Sequence, residues 1–103
     1  MMAADMNLQV WLETVPNTHP SIVIPYVQSA RSGQLQYQLQ AIKQGRGGSS
    51  RIGQSGGVHL RANQPTALSR FSLSLGEHDQ CRIELVLVEN GQAAGTYHFD
   101  CPR

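Results

Sequence analysis

Hydrophobic residues recur at every second position in several stretches of this chain, and a two-residue period predicts strands rather than helices. The clearest stretch is residues 60–75, Leu-Arg-Ala-Asn-Gln-Pro-Thr-Ala-Leu-Ser-Arg-Phe-Ser-Leu-Ser-Leu. Asn63, Gln64 and Pro65 separate a pair of apolar runs, after which Phe71, Leu73 and Leu75 fall on one face and Ser72 and Ser74 on the other. The pattern predicts a half-buried strand entered by a turn.

Other elements are counted outward from it. Residues 8–15 place Leu8, Val10 and Leu12 on one side and Gln9, Trp11 and Glu13 on the other, and Pro16-Asn17 ends that strand. An outward Trp11 reads as a binding anchor or, more plainly, as cover for the edge of a core. Residues 21–29 are β-rich but contain Pro25, which cannot donate to a ladder, so an edge strand or a bulge is expected there. Residues 34–44 alternate over a long run, with Leu35, Tyr37, Leu39 and Ala41 inward and Gln34, Gln36, Gln38 and Gln40 outward.

Residues 45–50 read as a flexible loop, and residues 51–54 and 58–61 as two short strand pieces separated by Ser55-Gly56-Gly57. After a turn at 76–79, residues 80–89 set Ile83, Leu85 and Leu87 on one face. Val86 and Val88 make the other face apolar as well, as in a strand covered on both sides. Asn90-Gly91 is a strong hairpin turn because both residues tolerate positive φ. Residues 93–100 return as the last strand, with Tyr97 and Phe99 on one face.

Seven strands without a helix predict an all-β fold, two sheets packed as a seven-stranded immunoglobulin-like β-sandwich, with a small barrel as the alternative. A chain of 103 residues sustains one core without metals. The expected organisation is a single domain over residues 7–103, preceded by residues 1–6 as a disordered tail or expression remnant.

Charge alters this bland picture. The net value of +1 conceals a segregation: residues 14–76 contain no Asp or Glu but do contain Arg31, Lys43, Arg46, Arg51, Arg61 and Arg70. Residues 77–100 reverse the balance, with Glu77, Asp79, Glu84, Glu89 and Asp100 against Arg82. If the fold keeps the first group together, it presents a positive surface whose field reaches about 8–10 Å at physiological salt and steers an acidic partner. The plainer reading is a set of solvated positions with no partner. The four Gln side chains on one face similarly suit either solvent or a Gln- and Asn-rich strand of another chain.

Chemistry is thin. His19, His59, His78 and His98 lie far apart without ligand spacing, so no metal or cofactor is expected. The glycine-rich 45–50 stretch lacks the Gly-Lys-Ser/Thr ending and following helix of a phosphate loop, and no nucleophile elbow accompanies the scattered Ser, His and Asp residues. An enzyme is therefore not expected. Nucleic acid is disfavoured because the basic span has only Tyr26, Tyr37 and Phe71 as aromatics, two of them reading as core. No run of 18 apolar residues exists to cross a membrane as a helix. The opening Met1-Met2-Ala3-Ala4-Asp5-Met6 has neither the basic start nor the apolar core of a signal peptide. That leaves a cytosolic protein, or a mature form whose signal was removed and whose start codon was re-supplied.

The Leu-x-Ala-Asn-Gln-Pro-x-Ala-Leu-Ser stretch at 60–69, Ser72-Leu73-Ser74-Leu75, and the Val-x-Asn-Gly-Gln hairpin at 88–92 together resemble the CsgC-like family of curli-assembly chaperones, including its CsgH branch. The resemblance runs over most of residues 30–100 and carries no catalytic signature. It implies the same sandwich and a periplasmic, monomeric, chaperone-like inhibitor that keeps its client, the curlin subunit, from polymerising into amyloid. On that reading the basic client-binding residues are Lys43, Arg46, Arg51 and Arg61, with Gln36, Gln38 and Gln54 as weaker polar contacts. The rival expectation is a generic periplasmic sandwich module that binds a partner or glycan without affecting fibres.

Cys81 and Cys101 begin and end the final hairpin. A two-residue Asn-Gly turn places residue 81 opposite residue 100, so a one-residue bulge or a three-residue loop is needed to bring the two sulfurs face to face. In an oxidising compartment they form a disulfide, and in the cytosol they stay reduced. The periplasmic location implied by the resemblance favours the disulfide. Some relatives carry a Cys-x-Cys redox pair on the third strand. The matching positions here are Gly33-Gln34-Leu35, so that chemistry is not carried over.

Overall fold

The structure, a computed structural model, describes residues 8–102. The tail expected at residues 1–6 lies outside the described residues. The fold is all-β, with two antiparallel sheets and no helix among the described residues. Neither sheet closes on itself, so the barrel alternative falls away.

The first sheet is built on β2 (Ser21–Gln28), which pairs with β1 (Gln9–Thr14) on one side. On its other side it pairs with two short strands, β5 (Thr66–Ala67) and β6 (Phe71–Leu73). The second sheet has the order β4-β3-β7-β8, from β3 (Gly33–Gly45), β4 (Gly48–Leu60), β7 (Gln80–Glu89) and β8 (Gln92–Asp100). Val23, Val27, Leu68, Phe71 and Leu73 from the first sheet and its connections meet Leu35, Leu39, Ala41, Ile83, Leu85 and Leu87 from the second in one buried cluster. Each large aliphatic side chain sealed there contributes about 1.5–3 kcal/mol. The Tyr37 hydroxyl joins the layers by donating to the Leu68 carbonyl at 2.8 Å.

Five expectations need correction. The strand count is eight, not seven, because Thr66–Ala67 pairs with β2 separately from the Phe71 strand. The strand expected over 71–75 is also shorter, ending at Leu73. Pro25 was expected to mark an edge or a bulge, but β2 is central. It tolerates proline because its partner is broken there. A strand residue points its N–H and C=O to the same side, and the Pro25 carbonyl accepts from the Leu68 N–H at 2.9 Å. The missing donor therefore faces the gap between β5 and β6, where no ladder acceptor stands.

The flexible loop at 45–50 and the kinked strand after it are instead one regular element. Gly45 pairs with Gly48 across the two-residue turn Arg46-Gly47, and β4 then runs unbroken to Leu60 opposite β3. Glycine and serine give no hydrophobic period, so the pieces expected at 51–54 and 58–61 were not joined until β3 supplied their partner. Gly56 lies against Tyr37, and a Cβ there would stand 3.1 Å from the hydroxyl.

Val86 and Val88, finally, are half-exposed rather than covered by a further layer. The Asn90-Gly91 turn is as expected, with φ of 52° and 78°. A register shift at Leu87/Val88 supplies the one-residue bulge, so Arg82 pairs with Asp100. The Cys101 N–H donates to the Cys81 carbonyl at 3.3 Å, and the two cysteines form a disulfide with their Cα atoms 5.4 Å apart.

Candidate functional site

The β3–β4 hairpin carries most of the side chains that sequence reasoning selected, and strand parity decides where each one goes. On β3 the odd residues enter the core, so Gln34, Gln36, Gln38, Gln40 and Ile42 form a column on the outer face of the second sheet. Register then sets Arg51 beside Ile42, Gly53 beside Gln40, Ser55 beside Gln38 and Gly57 beside Gln36. Gln36 and Gln38 are exposed, flanked on one side by the almost side-chain-free Gly53, Ser55 and Gly57 and on the other by Val86 and Val88. A shallow cavity of about 280 Å³ opens there, lined by Gln36, Tyr37, Gln38, Ser55, Gly56 and Val88.

The four selected cations do not form a single cluster. Arg46 is exposed at the hairpin tip and Arg51 on the outer face five residues on. Lys43 has inward parity near the tip, and its ammonium donates to the Ser74 carbonyl at 2.8 Å, which ties it to the other sheet. Arg61 lies beyond the far end of β4, and Leu60 is roughly 30 Å along the strand from Arg51. It shares that pole with Arg31, since Gly33 pairs with Leu60 and the Ala62 N–H donates to Ser32 Oγ at 3.2 Å.

Gln54 points inward. Its amide accepts from Ser69 Oγ at 2.7 Å and donates to the Arg70 carbonyl at 3.5 Å, which holds the 69–70 segment under the middle of β4. That contact brings exposed Arg70 alongside the strand, a placement that no spacing in the sequence discloses. Arg82 was also missed. Grouped by sequence with the acidic segment, it pairs with Ile42 and so stands two strands from Arg51 in the same outer row. Sheet register was the signal that could have found it.

The electrostatic result is a gradient across the second sheet. β3 and β4 carry cations and no carboxylate, while β7 and β8 hold Glu84, Glu89 and Asp100 against the single cation Arg82. On the acidic side His98 Nε2 lies 3.1 Å from Glu84 Oε2, within hydrogen-bond distance. Arg46, Arg51, Arg61 and Arg70 have no carboxylate partner among the described residues, so their charge is directed into solvent. No group of three or more His, Cys, Asp or Glu residues is placed to hold a metal among the described residues.

The outer face of the first sheet differs in character. Trp11 pairs with Tyr26 and stacks on it, with ring centroids 5.7 Å apart and planes 7° from parallel, and its indole N–H donates to Glu13 at 3.0 Å. Trp11 therefore points outward as expected, and it is partly buried against its neighbour.

Comparison with known proteins adds three findings. The family described as "Thin aggregative fimbriae synthesis protein" (Tafi-CsgC) matches residues 1–98. Curli assembly protein CsgC of Escherichia coli strain K12 is 29% identical over 93 residues, covering 90% of this chain and 84% of that protein. Its counterpart in Salmonella typhimurium is 31% identical over 93 residues, covering 90% and 85%. Among solved structures, E. coli curli protein CsgC superposes with a TM-score of 0.74 at 24% identity, covering 93% of this chain and 99% of that one. The solution structure of R. palustris CsgH gives 0.71 at 20% identity, covering 90% and 91%. At those identities the two structures establish likeness of fold.

Proposed function

From the premise that this chain belongs to the Tafi-CsgC family of thin aggregative fimbriae synthesis proteins, we propose that it serves curli assembly as a periplasmic, monomeric, chaperone-like inhibitor. It holds the curlin subunit unpolymerised through transient, electrostatically steered binding. The observation that carries this reading is the charge gradient of the second sheet, with exposed Arg46 and Arg51 toward the tip of the hairpin whose outer column holds Gln36 and Gln38, and no carboxylate on β3 or β4. Arg46 and Arg51 are the principal contacts, Gln36 and Gln38 the polar ones. Lys43, Arg61 and inward-facing Gln54 contribute less directly, the first two through field and the last by positioning the 69–70 segment. Pairing of β1-β2-β5/β6 opposite β4-β3-β7-β8 supports an immunoglobulin-like sandwich as the scaffold.

A steered encounter raises the association rate by about 10-fold or more and weakens as salt rises. The test is thioflavin fluorescence of a polymerising curlin subunit with this protein at substoichiometric ratio, in low and high salt. The wild type prolongs the lag and Arg46→Glu/Arg51→Glu loses most of that effect, as does added salt. An unchanged lag with folded wild-type protein overturns the reading. In that case the partly buried, outward-facing Trp11–Tyr26 stack favours the rival, a partner- or glycan-binding module whose contacts are hydrogen bonds and stacking and therefore insensitive to salt.

A further inference from the structure

We propose that the free edge of β4 is a strand-addition site that accepts an extended, carboxylate-bearing segment of an amyloid-forming chain through main-chain hydrogen bonds. This rests on the reading above and names the surface that performs it. Sheet edges are ordinarily made unattractive by shortness, proline, bulges or inward charge. β5 and β6 have two and three residues, β1 has six, and the β7–β8 pairing is bulged. β4 has none of these guards. It is 13 residues long, contains no proline, and keeps an unbroken register with β3 from Gly48 to Leu60.

The direction of its free groups follows from one hydrogen bond. Cys101 N–H donates to Cys81 O, so the odd residues of β7 turn their main-chain groups to β8 and the even ones to β3. Register carries the alternation across. Even residues of β3 bond β7, odd residues of β3 bond even residues of β4, and the odd residues of β4 face solvent. Those are Ser49, Arg51, Gly53, Ser55, Gly57 and His59. Their side chains lie on the outer face, and at the three central positions there is almost no side chain to screen the main-chain groups. The occupant's charge follows from the surroundings. Arg46 and Arg51 at one end, Arg70 beside the middle and Arg31 and Arg61 at the other end flank the edge, with no carboxylate on the strand or its neighbour. A second copy of β4 would bring Arg51 to an edge already basic, so a strand carrying Asp or Glu is the better complement.

Gly53→Pro/Gly57→Pro tests this without touching a charge. At both positions the lost N–H is one that β3 does not use, while the proline ring projects from the free edge. The folded double variant, checked by its melting transition, loses the ability to prolong the curlin lag while keeping the salt-dependent encounter. Hydrogen exchange on the wild type provides a second arm that needs no substitution. With freshly dissolved curlin subunit added, the amides of Arg51, Gly53, Ser55 and Gly57 slow by about tenfold or more, while the even-numbered amides, already bonded to β3, change little. A wild type that prolongs the lag while those four amides stay unchanged overturns the edge site and leaves the functional reading standing. Protection that appears with this protein's own concentration, in the absence of curlin, assigns the edge to a second copy and overturns the proposal. A wild type without any effect on the lag overturns the functional reading and the edge inference with it.

Discussion

Replacing Tyr37 with Phe isolates the hydrogen bond that joins the two sheets. Tyr37 is 8% exposed, and its hydroxyl donates to the Leu68 carbonyl at 2.8 Å. Leu68 is equally buried, and its N–H already donates to the Pro25 carbonyl, so this residue is stitched to β2 on one side and to β3 on the other. The substitution keeps the ring and removes the donor, leaving a buried carbonyl without its partner. Such a deletion costs about 1–2 kcal/mol, more than the net value of a bond to water because the carbonyl stays desolvated. For a domain of this size that corresponds to a fall in Tm of roughly 5–10 °C. The assay is urea denaturation beside Tyr97→Phe, whose hydroxyl makes no hydrogen bond among the described residues and whose loss changes stability by less than about 0.5 kcal/mol. Equal midpoints for the two variants would refute the reasoning, since water would then satisfy the Leu68 carbonyl as well as Tyr37 does.

Two further predictions concern the same scaffold. Cys81→Ser/Cys101→Ser opens a loop with a sequence separation of 20 and costs about 3 kcal/mol in the chain-entropy model, read as a lower urea midpoint. If the folded fraction still prolongs the curlin lag, the bond is structural and thiol exchange plays no role. Gly56→Ala places a methyl 3.1–3.3 Å from the Tyr37 ring and hydroxyl, which the Leu68 bond prevents from shifting. It costs about 1–2 kcal/mol by overpacking, and combining it with Tyr37→Phe recovers some of the loss in a double-mutant cycle.

The sequence disclosed the fold where one face alternated with the other. Leu35, Tyr37, Leu39 and Ala41 announced β3, Ile83, Leu85 and Leu87 announced β7, and Asn90-Gly91 announced the last hairpin. It disclosed β4 only as the two pieces at 51–54 and 58–61 and missed its continuity, because an edge strand rich in Gly and Ser takes its conformation from its neighbour rather than from its own pattern. Pro25 misled for a related reason. The rule that confines proline to edges concerns the missing donor, and a donor is not missed where the partner strand is split. The candidate site was half legible. The absence of Asp and Glu over residues 14–76 was visible, but three placements needed register and side-chain contacts: Arg82 beside the basic tip, Arg70 alongside β4, and Gln54 turned inward.

Pro25 also matters before the chain has folded. Ser21–Gln28 is the segment richest in β-branched residues, and Ile-Val-Ile followed by Tyr-Val without proline would make a compact, uncharged window of the kind that stacks into cross-β fibres. Proline in its middle removes a donor from any such stack and acts as a gatekeeper while the chain is extended. Because β5 and β6 diverge opposite it, the native sheet accommodates this interruption. The chain thus carries its own safeguard against cross-β stacking, in a residue buried at the centre of its smaller sheet.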